Sequence, residues 1–130
     1  MDIETLRDYI LSLPEAEETQ PFGEDTVVFK VRGKMFAMFI FEPGRADWIW
    51  LKCNKDYAIL LRDRYMSAVE PGWHMNRTYW NMVNFTSWDI TDEDLRHFIA
   101  HSYNEVLQKM SRPKRAGLHF LQNGIYDPAK

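Results

Sequence analysis

TVVFKVRGKMFAMFIF, residues 26–41, is the stretch whose reading decides the fold. Val27, Phe29 and Val31 alternate with Val28, Lys30 and Arg32, the two-residue period of a strand with unlike faces. Gly33 permits a tight reversal. Residues 35–41 return as an apolar run, the pattern of a strand buried on both faces or central in its sheet. The stretch is therefore predicted as an antiparallel hairpin, with Lys30 and Arg32 pointing outward. Next along the chain, EPGRAD at 42–47 is a turn and WIWLKC at 48–53 a third strand. Trp48, Trp50 and Lys52 share one of its faces; Ile49, Leu51 and Cys53 share the other.

Upstream, Asp2 is placed to cap a helix whose Ile3, Leu6, Tyr9, Ile10 and Leu13 repeat at helical spacing, and Pro14 stops it. PEAEETQPFGED, 14–25, is expected as an acidic loop. Downstream, Asn54 caps a predicted helix over 55–65 carrying Ala58, Leu61 and Tyr65 on one side. Pro71–Gly72 breaks the chain. WHM and WNMVNF then read as short strands joined through Asn76–Arg77–Thr78. Thr91 caps the last helix, and Asp92, Glu93 and Asp94 suit its positive end. Its apolar stripe is Leu95, Phe98, Ile99, Tyr103, Val106, Leu107 and Met110, and it is expected to end at Arg112–Pro113. The order of elements predicts an α+β fold: an antiparallel sheet with helices packed mainly on one face and the other face partly open. A single domain over 1–113 is expected, followed by a tail, 114–130. The tail's Leu118, Phe120, Leu121, Ile125 and Tyr126 can dock on the domain.

At 130 residues, with 45% hydrophobic and 15% aromatic content, the chain can bury one core. No apolar run has the roughly 20 residues of a membrane span, and MDIETLRDYILSL lacks the basic end and solid apolar block of a secretion signal. The one cysteine, Cys53, cannot pair within the chain, so a cytoplasmic location and a monomer are the expectation. The net charge of −3 is unevenly spread: eight acids and one base over 1–29, but nine bases and five acids over 30–80. The pI of about 5.8 argues against a strong non-specific DNA binder while leaving room for a local basic patch.

LP at 13–14, PFGED at 21–25, FKVRGKMFA at 29–37, LKC at 51–53, LR at 61–62, VEPGWHMN at 69–76, WNMV at 80–83, and SY at 102–103 with Val106 together resemble the MmcQ/YjbR family over roughly residues 1–110. The resemblance implies a compact CyaY-like fold, similar to the frataxin homologue, and a proposed DNA-binding role through exposed strand-and-turn wings. Two positions depart from the family's pattern. Tyr79 stands where a histidine is common, and FTSWD at 85–89 replaces an aspartate–glycine turn.

The residues support two readings of PGWHMNRTYWN, 71–81. As a recognition edge, Arg77 reaches phosphate, Asn76 and Asn81 hydrogen-bond to bases, and a tryptophan stacks. As a turn, Asn76 supplies the bend, Trp73 and Trp80 pack as cross-strand neighbours, and His74 satisfies a buried backbone group. Lys30, Arg32 and Lys52, with Arg45, Lys55, Arg62, Arg64 and Arg77, are candidates for a positive surface. The nucleic-acid candidates are thus Lys30, Arg32, Lys52, His74, Asn76, Arg77, Trp80 and Asn81. Lys109, Arg112, Lys114 and Arg115 are read as complementing the negative end of the last helix. Cys53 reads as an inert buried thiol and His97 and His101 as surface histidines, so neither a catalytic group nor a resident metal or cofactor is expected. A small-molecule or protein-interaction module on the open sheet face is the alternative. Iron binding by the acids of the first helix and loop is a weaker one.

Overall fold

The computed structural model describes residues 1–129; Lys130, the last residue of the expected tail, lies outside them. In chain order the elements are α1 (Ile3–Leu11), β1 (Ala16–Thr19), β2 (Thr26–Val31), β3 (Lys34–Ile40), β4 (Trp48–Lys52), α2 (Lys55–Arg64), β5 (Val69–Pro71), β6 (Trp80–Asn84), α3 (Asp92–Lys109) and α4 (Arg112–Arg115). The strands form one antiparallel sheet ordered β1-β2-β3-β4-β6-β5. The α+β class and the packing of helices on one face agree with the sequence.

Each helix begins where its cap residue stands. Asp2 accepts from the Thr5 amide at 2.7 Å, and Asn54 Oδ1 accepts from the amides of Asp56 and Tyr57. Thr91 and Asp94 form a reciprocal capping box. The helical side of the sheet buries one continuous cluster, in which Leu6, Ile10, Ile99, Tyr103 and Leu107 meet Phe29, Phe36, Ile49 and Val83. A register shift after Phe29 opposes Lys30 to Met35, with Phe36 the extra residue, and Phe36 joins the helical side. The Ser102 hydroxyl donates to the Phe36 carbonyl.

Four expectations about the strands, α3 and the sheet faces need correcting. The acidic loop contains a strand, β1, because its backbone pairs with β2 from Ala16↔Val31 to Thr19↔Val28; at a sheet edge Glu17 and Glu18 remain in water. The hairpin before β6 uses Val69–Pro71 rather than 73–75. Proline is tolerated there because β5 is the other edge. Gly72 lies so close to β6 that a Cβ would stand 2.8 Å from that of Trp80. Third, α3 stops at Lys109, and Met110 leaves in an extended conformation before α4.

The fourth correction concerns the open face. On that side Val28, Met38, Trp50 and Met82 lie in one cross-strand row, and with Trp48 and Trp80 they form a second buried cluster. Residues 72–79 fold back over it. Trp50 Nε1 donates to the Trp73 carbonyl at 2.8 Å, and Met75 and Tyr79 pack on the cluster. A row of indoles and thioethers is too apolar to leave in water, and this connection is what excludes it.

Residues 114–129 run back along α3. Leu118 is buried, and the Asn104 side chain makes two hydrogen bonds to the backbone of Leu121, at 2.8 and 2.7 Å. The Tyr126 ring stacks on Tyr57 with centroids 4.1 Å apart. His101 is therefore buried rather than exposed. Its Nδ1–H donates to the Gly124 carbonyl at 3.1 Å and its Nε2 accepts from the Asn54 amide at 3.2 Å. Burial pushes its pKa down to about 4. His97 likewise donates through Nδ1 to the Asn123 carbonyl, at 2.6 Å, with Tyr57 Oη on its other nitrogen.

Candidate nucleic-acid interface

The eight candidate residues divide by what their side chains already do. Arg32 is not an outward strand position. It is the first residue of a two-residue turn with φ of 46°, followed by Gly33 at 81°. This is the left-handed pair that matches strand twist in a tight hairpin. Its guanidinium binds both oxygens of Glu15 and the carbonyls of Lys114 and Ala116, the latter two at 2.7 Å. Asn81 is 2% exposed. Its Oδ1 accepts from Arg62 Nε at 2.6 Å and its Nδ2 donates to the Ala58 carbonyl at 3.2 Å, so no base edge can reach it. Trp80 is 5% exposed within the second cluster. Asn76 turns the chain, accepting from the Thr78 amide at 3.0 Å.

His74 does not satisfy a buried backbone group. It is exposed at φ 75°, and its Nε2 lies 3.1 Å from Glu42 Oε1. Lys30 is half-buried and sits opposite Glu17 on β1. Arg45 approaches Glu70 at 3.8 Å and lies over Trp48. Carboxylates thus break the continuous positive face that the strand pattern predicts. Arg62 is also committed: besides Asn81 it donates to the carbonyls of Arg77 and Trp80.

Arg77 and Lys52 remain available. Arg77 is exposed and stacks its guanidinium 4.4 Å from the ring centroid of Trp73, itself 43% exposed. Lys52 ends β4 beside Trp80. Two lysines that strand alternation did not single out join it there: Lys34 from the hairpin tip and Lys109 from the end of α3. With Gly33, Met35, Trp80, Val106 and Met110 the three enclose a concavity of about 370 Å³. Burial, then Lys109, with Lys34 a smaller contributor, holds the Lys52 ammonium below its usual pKa; Glu105 opposes the shift. Lys109 Nζ also lies 4.2 Å from the Tyr79 ring centroid. The site therefore joins a lysine-lined hollow to an exposed indole–guanidinium pair through one connection, 72–79. Sequence spacing could not pair Lys34 with Lys109, which meet only because α3 ends over the hairpin tip. Lys109 stands in the last turn of α3, as expected, and Arg115 adds a hydrogen bond to the Leu107 carbonyl at 3.4 Å.

Other chemistry meets occupied groups. Cys53 is buried and its thiol is pushed up to about 12, chiefly by burial. Glu15 pairs with Arg32 and Glu18 with Arg7. Among the described residues no three His, Cys, Asp or Glu side chains come together to hold a metal ion. None of the helices there is long and apolar enough to cross a membrane.

The YjbR family model matches residues 11–105. The chain is 34% identical over 109 residues to the uncharacterized protein YbdF of Escherichia coli O157:H7, covering 84% of this chain and 87% of that one. Among solved structures it is similar to Deinococcus radiodurans protein DR2400, described by the domain name DUF419. The TM-score is 0.83 at 27% identity, over 96% of this chain and 95% of that one. A Pseudomonas syringae protein shares the fold with a TM-score of 0.66 at 21% identity, over 81% and 98% of the respective chains.

Proposed function

The chain belongs to the YjbR family, and from that premise we propose that it is a non-catalytic DNA-binding protein acting as a cytoplasmic monomer. Its contact surface is Lys34, Lys52 and Lys109 together with the Trp73–Arg77 pair. The observation that carries this reading is the convergence of three lysines on one hollow, with an exposed indole–guanidinium pair on the connection whose Tyr79 ring lies against Lys109. Among the described residues those lysines make no ion pair within 4 Å. Ammonium groups placed this way attract phosphate, and an exposed ring offers a stacking platform that accepts any base. The ring favours unpaired strands over duplex, because duplex bases are already stacked. Arg32 and Asn81 support the surface from beneath and do not touch the ligand, while the edge of Trp80 walls the hollow.

Titration of single-stranded and duplex DNA at two salt concentrations tests the reading. The expected result is binding that weakens steeply with salt, favours the single strand and drops in Arg77→Ala. No binding at low salt overturns it.

A second reading, a small-molecule module, is favoured by a different cavity of about 520 Å³ between α3 and the tail, lined in part by Asn54, His101, Glu105 and Tyr126. It predicts ligand-dependent thermal stabilisation that truncation before the tail removes, with DNA binding unaffected.

A further inference from the structure

The hollow at the hairpin tip has more charge than a chain of ordinary phosphodiesters would ask of one place. Lys34, Lys52 and Lys109 bring three ammonium groups to it from β3, β4 and α3, and the nearby carboxylate is Glu105. Among the described residues neither the lysines nor Glu105 forms an ion pair within 4 Å. Holding like charges together around a half-buried amine is unfavourable unless something compensates it. Among the described residues the lysine side chains donate no hydrogen bonds, whereas the guanidinium groups of Arg32 and Arg62 each donate several.

We propose that this hollow is a binding site for a phosphomonoester dianion. The inference rests on the nucleic-acid reading for its setting and names the chemical group that the lysines select. Three cations offset by one carboxylate leave an excess of two positive charges. A phosphomonoester carries about −1.5 to −2 near neutral pH and presents three strong acceptor oxygens, one for each ammonium. A phosphodiester or a carboxylate carries a single charge and leaves part of the site uncompensated. Lysine suits the task as a mobile point charge that adapts to a tetrahedral anion. The remaining wall, Met35, Val106, Met110 and the edge of Trp80, is apolar and accommodates the sugar or base that bears the phosphate. The group has two sources, the phosphorylated 5′ end of a strand or a free nucleotide.

The test measures anisotropy of a 3′-labelled oligothymidylate of about ten nucleotides, carrying either 5′-phosphate or 5′-hydroxyl, at low salt. Thymidine monophosphate and thymidine are titrated calorimetrically alongside. The expected result is roughly tenfold tighter binding of the 5′-phosphorylated strand, with that preference lost in Lys52→Met. Lys34→Gln and Lys109→Gln change exposed residues, and each should reduce the preference severalfold even if the Lys52 variant does not fold. Equal binding of both strands, with no more heat from the monophosphate than from thymidine, overturns the phosphomonoester site and leaves the DNA reading standing. Monophosphate binding that the lysine variants remove, without binding of either strand, supports the site with a free nucleotide as its source and overturns the DNA reading. A preference that all three variants retain places the phosphate elsewhere and overturns the site. No binding of any probe overturns both.

Discussion

Asn81 and Arg77 stand four positions apart and their side chains do opposite work. Asn81 is enclosed, holding the Arg62 guanidinium and the Ala58 carbonyl. Truncating it strands a charged donor and a carbonyl. Asn81→Ala should therefore cost about 1–3 kcal/mol in urea unfolding, whatever ligand is present. Arg77 reaches outward and supports no core packing, so Arg77→Ala should change stability by no more than about 0.5 kcal/mol while weakening DNA binding. A variant that loses both together would reassign Arg77 to the fold. Arg32 belongs with Asn81: it clamps Glu15 to the tail carbonyls from a left-handed turn position. Composition treats Arg32, Arg62 and Arg77 as three equal cations. Only the partners each one finds distinguish them.

At the scale of elements, α3 and the tail are held together in part through the buried imidazole of His101. His101 donates with one nitrogen and accepts with the other, so protonation of Nε2 removes the acceptor for the Asn54 amide. Its pKa is about 4 in the fold against an ordinary 6.5, lowered by burial first and opposed by the Gly124 carbonyl; His97 adds a smaller repulsion. The unfolded chain therefore binds this proton more readily. The contribution is complete above pH 6.5 and is lost as pH falls toward 4, amounting to roughly 3 kcal/mol at most. Urea midpoints between those pH values should fall less steeply in His101→Gln than in the parent. Gly124→Ala should loosen the same contact, because a Cβ there runs into the backbone of Ala100 and His101; faster proteolysis of the tail would report it.

These elements also mark how far the sequence could be read. β2, β4 and the stripe of α3 were legible because each declares itself by local period: Val27, Phe29 and Val31 in one case, Leu95 to Met110 in the other. β1 was not, since AEET becomes a strand only by pairing with β2. His101 was misread because the segment that buries it, around Gly124, lies 23 residues further on. In the site, Lys52 and Arg77 could be picked out by position. Lys34 and Lys109 could not, because their meeting depends on the packing of α3 over the hairpin.

For the whole molecule, the sheet has two dry sides of unequal construction. Helices cover one; a single connection, 72–79, covers the other. Met82→Ala, at full burial in the second cluster, should cost about 2–5 kcal/mol and should also disturb the Trp73–Arg77 pair, which the same connection carries. Lys52→Met tests a different property. It should reduce the slope of log affinity against log salt by about 0.7 for a single strand, because one phosphate contact is lost. Part of the negative charge behind the net −3 is already engaged within the fold: Glu15 and Glu18 pair with Arg32 and Arg7, and Asp2 caps α1.

The order of the strands has one further effect. The sheet ends at β1, whose Glu17 and Glu18 are exposed, and at β5, three residues long and closed by Pro71. A flank of hydrated charged side chains and a flank too short to template a neighbour both discourage a second copy from extending the ladder. Concentrated solutions should accordingly stay free of fibrils, and neutralising the first flank with Glu17→Val and Glu18→Thr should be the change that lets them appear.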